Sequence, residues 1–165
     1  MPSRFRHAAL VGKYQARGIR GVLEEIAHFL ARQGLDVSLE RQTALSTGIT
    51  GYGALEPEAI GRECDLVVVL GGDGTMLGIA RQLARYGTPL IGINQGRLGF
   101  ITDVPVGQFA ELLEPMLGGD FEVEHRSMLE GSVERDGDRI FEAVALNDVV
   151  VSRSHTASML EVRID

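Results

Sequence analysis

Asp65-Leu66-Val67-Val68-Val69-Leu70 runs directly into Gly71-Gly72-Asp73-Gly74-Thr75 and on through Met76 to Tyr86. The order reads strand, tight turn, helix. Behind Asp65, five apolar residues in a row, three of them β-branched, suit a strand buried on both faces of a parallel sheet. Three glycines in the next four positions let the backbone turn sharply and leave no Cβ to hold a ligand away. Thr75 is placed to cap the helix that follows. Met76, Ile79, Ala80 and Leu83 recur at the spacing of a helix with one apolar face.

A glycine turn feeding a helix N-terminus gathers unpaired N–H groups at the positive end of the macrodipole, which suits an anion. Asp73 is the odd member, because a carboxylate among phosphate-binding amides would repel the phosphate. Its presence is explained if it accepts a proton from an attacking hydroxyl, or holds a metal ion that bridges phosphates. The plainer alternative is an Asx turn in which Asp73 caps its own backbone. The stretch has neither the GK[ST] ending of a Walker A loop nor the GxGxxG dinucleotide pattern.

Working outward, Pro89 to Ile93 forms the next strand and Asn94-Gln95-Gly96-Arg97-Leu98-Gly99-Phe100 the loop beyond it. Upstream, His7 to Gly12 is a first strand, and Gly12 to Gly21 is a loop at its carboxyl end. Val22, Ile26, Phe29 and Leu30 form a helical stripe that Gly34 ends, and Asp36 to Glu40 alternates as a strand near a sheet edge. Alternation of this kind predicts a Rossmann-like parallel sheet with flanking helices, in which ligands bind beyond the carboxyl ends of the strands. Gly71–Thr75 and Asn94–Phe100 would both lie there. Asn94 either bonds a ligand or holds its own turn.

Arg41 to Pro57, rich in Thr, Gly and Ala, reads as a long loop, either a lid or disordered. Glu58 to Glu63 reads as a helical turn. Val106 to Leu117 has helical spacing, with Gly118-Gly119 as its stop. Beyond Asp120 the texture changes to alternating segments at 121–125, 129–134, 140–146, 149–151 and 159–164, with Asp136-Gly137 as a hairpin turn. The expected organisation is an α/β domain over 1–119 and the start of a β-rich domain over 120–165, cut short on a strand. Asn147-Asp148 interrupts an apolar run, and pattern alone favours a bulge or turn there.

Composition narrows the function. The chain has 165 residues, 44% hydrophobic and 24% charged, with a net charge of −7. Those values fit a soluble globular protein and exclude general nucleic-acid binding, which needs a basic stripe. No apolar run is long enough to span a bilayer, and the N-terminus does not read as a secretion signal. Fifteen of the 16 basic residues are arginines, scattered along the chain, and one is Lys13. The single Cys64 excludes an internal disulfide, fits a reducing cytoplasm and reads as packing. His7, His28, His125 and His155 lack metal-ligand spacing.

Three segments together resemble the NAD kinase family, the ATP-dependent 2′-kinases of NAD. They are Gly71-Gly72-Asp73-Gly74-Thr75, Ile91 to Phe100 (IGINQGRLGF), and Asn147-Asp148 within ALNDVV. The first also occurs in lipid kinases and phosphofructokinases; the second is more specific, and the ordered trio covers nearly the whole chain. The resemblance implies that Asp73 accepts the proton of the 2′-hydroxyl of the adenosine ribose. It places Gly71, Gly72, Gly74, Thr75 and Asn94 at nucleotide phosphate or ribose, and Asp73, Gly74, Asn147, Asp148 and Ser158 at NAD. Asp148 stands where many members have Glu, and reaches one methylene less. The resemblance further implies ATP with Mg2+ or another divalent cation, a homo-oligomer (dimer or tetramer), and a second β-domain longer than the one present. The competing readings are a lipid or sugar kinase sharing the turn, disfavoured by the absence of a basic amphipathic helix, and a non-catalytic nucleotide-binding module.

Overall fold

The computed structural model describes residues 3–13, 18–96 and 99–151. The chain divides into two compact units, Met1–Arg126 and Ser127–Asp165.

In the first unit β1 (His7–Gly12), α1 (Ile19–Arg32), β2 (Asp36–Glu40), α2 (Arg41–Thr47), β3 (Gly53–Leu55) and α3 (Pro57–Glu63) come first. β4 (Leu66–Gly71), α4 (Asp73–Leu83), β5 (Leu90–Asn94), β6 (Val104–Pro105) and α5 (Phe109–Leu117) follow. The strands form one six-stranded parallel sheet in the order β3-β2-β1-β4-β5-β6. From β1 the chain builds outward through β2 and β3, then returns to β4 and builds the other way. The order therefore reverses between β1 and β4, and a crevice at the carboxyl edge is expected there.

β4 shows why the sheet is covered on both sides. All six of its residues are buried. Leu66, Val68 and Leu70 pack with Leu10, Leu23, Ile26, Leu30 and Leu113 under α1 and α5. Val67 and Val69 pack with Ala9, Val11, Ile60, Met76 and Ile79 under α3 and α4. Period-two alternation thus feeds two apolar layers from one strand. Cys64 belongs to the second layer. Burial first, then the neighbouring charges of Glu63 and Asp65, pushes its thiol up to about 12, as suits a packing residue. His7 is structural too, its Nε2 lying 2.9 Å from Ser38 Oγ.

The long loop expected over 41–57 is instead α2, a short connection and the edge strand β3. The cause is Glu40, whose buried carboxylate accepts from the N–H of Gln42 (3.1 Å) and from the N–H and hydroxyl of Thr43 (both 2.7 Å). Thr43 Oγ1 in turn accepts from Gly12 N–H at 3.0 Å, joining the ends of β1 and β2 to α2. A carboxylate capping from the last residue of a strand is not among the usual cap signals. Glu40→Ala is expected to destabilise the protein by about 1–2 kcal/mol, the upper part of the range for a lost cap, because it orphans buried donors. At this chain length that lowers the melting temperature by roughly 2–8 °C. Thermal melting of the full-length protein checks it, and an unchanged midpoint would discount the cap.

Other differences are smaller. Helix α4 is capped by Gly72 and starts at Asp73, so Thr75 sits inside the first turn and does not cap it. The helix ends at Leu83, and a 3-10 turn over Ala84–Tyr86 leads to Gly87 at φ 66°. Residues 106–108 form another 3-10 turn before α5. Residues 121–125 belong to neither sheet among the described residues.

In the second unit β7 (Leu129–Arg135) and β8 (Asp138–Ala145) form an antiparallel hairpin. Asp136 (φ 54°) and Gly137 (φ 88°) both take positive φ, as the favoured two-residue hairpin turn requires. Residues 149–151 belong to no strand, and 159–164 lie outside the described residues.

Candidate functional site at the carboxyl edge of the sheet

β4 delivers Gly71 and Gly72 to the carboxyl edge beside the end of β1, where Gly12 pairs with Leu70 and Lys13 N–H bonds Leu70 O at 3.0 Å. Thr75 folds back over Gly71, so closely that a Cβ on Gly71 would lie 2.8 Å from Thr75 Cβ. Here glycine is required by space. Thr75 N–H (3.0 Å) and Met76 N–H (3.2 Å) both bond Gly72 O, and the amides ahead of them have no intrahelical acceptor.

A cavity of about 330 Å³ opens at this turn. Val11 and Ile79 line its apolar side, and Lys13, Gly72, Gly74, Thr75, Gly78 and Gln82 line the rest. Gly74, Gly78 and Gln82 are four residues apart and share one face of α4, so the missing side chains of the two glycines make room. Lys13 forms no ion pair among the described residues.

Asp73 does not line that cavity. Its carboxylate reaches across to the loop beyond β5. Oδ2 accepts from Phe100 N–H (2.9 Å); Oδ1 accepts from Ile101 N–H (3.1 Å), Thr102 N–H (3.3 Å) and Thr102 Oγ1–H (3.1 Å). A carboxylate in a phosphate-binding turn is tolerable because it points at other donors. Asp73 is thus bonded across 27 to 29 residues, and the Asx-turn alternative does not describe it. The Phe100 N–H first, then Ile101 and Thr102, holds its carboxyl below the usual range against the opposing effect of desolvation.

Asn94, at the end of β5, holds the same loop. Its Oδ1 accepts from Gly96 N–H at 2.7 Å, and its Nδ2 donates to Thr102 Oγ1 (3.0 Å) and Thr102 O (3.3 Å). Asn94 is thus a turn-holding residue here. Two residues of the site went unread in the sequence. Thr102, with no exposed surface, carried no local signal. Lys13 carried one, as a sole lysine at the end of a strand on the edge where ligands bind.

The second unit carries Asn147 and Asp148, both exposed, just past the end of β8, with Asn147 Nδ2 donating to Asp148 Oδ1 at 3.0 Å. The chain then passes Gly131, where an added Cβ would meet Val149 Cγ1 at 3.3 Å. Ser158, and Arg97 and Leu98 of the loop, lie outside the described residues. Among the described residues no three His, Cys, Asp or Glu side chains converge as metal ligands, and no helix is long and apolar enough to cross a membrane.

Residues 9–121 match the family model for the ATP-NAD kinase N-terminal domain. An NAD kinase of Methylibium petroleiphilum is 62% identical over 169 aligned residues, covering 100% of this chain and 56% of the relative. An NAD kinase of Polaromonas sp. is 55% identical, covering 100% of this chain and 57% of its own length. The chain therefore spans just over half the length of these relatives. Among solved structures, yeast NADH kinase complexed with NADH superposes with a TM-score of 0.73 at 19% identity, over 86% of this chain and 47% of that one. An Archaeoglobus fulgidus NAD kinase in complex with ATP superposes with a TM-score of 0.52 at 27% identity, over 76% and 40%.

Proposed function

The chain belongs to the NAD kinase family, and from that premise we propose that the protein transfers the γ-phosphoryl group of ATP to the 2′-hydroxyl of the adenosine ribose of NAD, giving NADP and ADP. The observation that carries this reading is the division of labour around one turn. Gly72, Gly74, Thr75 and Lys13 line a cavity, and the Asp73 carboxylate is held away from it by the loop beyond β5.

Phosphoryl transfer asks chiefly for positioning and charge neutralisation, with a group to take the hydroxyl proton. In this proposal the first-turn amides of α4 and Lys13 receive the donor's phosphates, with Gly71, Gly72, Gly74 and Thr75 close against them. Asp73 takes the 2′-hydroxyl proton as the new O–P bond forms and the bond to ADP breaks. Asn94 shapes the loop that holds Asp73, and Asn147, Asp148 and Ser158 contact NAD. Magnesium or another divalent cation, arriving with ATP, would neutralise phosphate charge. A cytoplasmic homo-oligomer completes the reading.

Incubating the full-length protein with ATP, magnesium and NAD, and following ADP and NADP, tests it. NADP formation is expected; ADP without NADP would assign another acceptor, and neither product would leave a nucleotide-binding module. Lys13→Met is expected to raise the KM for ATP about five- to tenfold with kcat within about threefold, as for one exposed charge-assisted contact. An unchanged KM would remove Lys13 from the phosphate site.

A further inference from the structure

We propose that Thr102 is a positioning residue for the transfer: its buried hydroxyl, fixed by Asn94, holds one oxygen of Asp73 and leaves the other to the acceptor hydroxyl. The inference rests on the assignment of Asp73 as proton acceptor.

The two carboxylate oxygens are not equivalent. Oδ1 has three donors, from Ile101 and twice from Thr102, which fills its lone-pair directions. Oδ2 has one, from Phe100, a residue 95% exposed. Oδ2 therefore keeps acceptor capacity for a substrate hydroxyl. What decides this orientation is the Thr102 side chain. Its Oγ1 donates to Asp73 Oδ1 and at the same time accepts from Asn94 Nδ2. A hydroxyl has one proton, and the Asn94 amide leaves that proton only one direction.

The chain Asn94–Thr102–Asp73 thus links the end of β5 to the start of α4, with Thr102 fully enclosed. Backbone amides can hold the charge of Asp73; the hydroxyl adds a third donor to one chosen oxygen.

Three variants of Thr102 in the full-length protein separate this role from packing. Thr102→Val keeps the shape and removes the hydroxyl, Thr102→Ser keeps the hydroxyl and removes the methyl, and Thr102→Ala removes both. Positioning requires kcat to fall roughly tenfold or more in the Val variant, the effect of one lost bond to a charged group, and to recover to within about threefold in the Ser variant. The KM values for ATP and NAD should stay within about twofold throughout. A packing role reverses the order, with Val close to wild type and Ser impaired, and that order would overturn the proposal even if the Ala variant failed to fold. Wild type making no NADP would sink the functional reading, and this inference with it. An active wild type with an unimpaired Val variant would sink this inference alone.

Discussion

Asp73→Asn in the full-length protein is expected to lower kcat for NADP formation roughly 100- to 10,000-fold, the usual contribution of a positioned proton acceptor. The structure adds a second consequence. Asp73 accepts on both oxygens, from Phe100 on one and from Ile101 and Thr102 on the other. An Asn side chain has one oxygen, so its NH2 group must face the N–H of Phe100 or the donors at Thr102, and donor meets donor. Part of the loss would then come from a displaced loop. Two measurements separate the causes. If NAD and ATP still bind within about threefold of wild type by calorimetry while turnover collapses, the loss lies in proton acceptance. If NAD binding collapses as well, the loop is the larger effect. Wild-type turnover would remove Asp73 from the chemistry altogether.

The depressed carboxyl of Asp73 also fixes the sign of a pH dependence. Its folded pKa is lowered by the loop donors, Phe100 first. The stabilisation therefore exists above the ordinary carboxylate range and is lost as pH falls through the folded value. Above the ordinary carboxylate range the tie between Asp73 and the loop is constant. In the proposed function Asp73 is therefore already ionised when it orients the hydroxyl, and it takes the proton only as the acceptor oxygen bonds phosphorus.

Much of the fold was readable because its signals are local. The apolar run before Gly71, the glycine turn and the apolar stripe of α4 each lie within one short window, and Asp136-Gly137 specifies its own hairpin. Where the reading failed, the cause was a partner distant in sequence or a residue outside its usual role. Arg41–Thr47 is helical because a buried Glu caps it from the end of β2. Thr75 looked like a cap, but the cap position falls three residues earlier, at Gly72, and Thr75 covers Gly71 instead. Asp73 was recognisable as out of place among phosphate-binding amides. What resolves the conflict, three residues on the far side of β5, is tertiary and had no trace in the spacing.

Gly99→Ala should be the most damaging single methyl group at this site. A Cβ built on Gly99 would overlap Asp73 Oδ1 and lie 2.6 Å from Thr102 Oγ1. Neither neighbour can yield easily. The Asp73 carboxylate is held by four hydrogen bonds, and Thr102 is enclosed and bonded to Asn94. The loop itself must therefore lift, and it takes the donors of Asp73 with it. Gly99 N–H also bonds Thr102 O at 3.2 Å, which ties the turn to Thr102. Forcing a methyl group into a packed site costs about 1–3 kcal/mol, which at this size lowers the melting temperature by roughly 2–12 °C. Turnover should fall much further than stability, by roughly 100-fold or more, because Asp73, the proton acceptor proposed above, loses its orientation. Gly96→Ala is the control in the same loop: its added Cβ would meet only Asn94 Oδ1, at 4.0 Å, among the described residues, and its melting temperature should match wild type. Melting curves and kcat for both variants decide the matter. If Gly99→Ala turns over like wild type, the loop is not held against Asp73 in the working enzyme, and the bonds seen here belong to a state that substrate binding dissolves. If it melts like wild type but turns over 100-fold more slowly, the contact between Gly99 and Asp73 serves the chemistry and adds little to the fold.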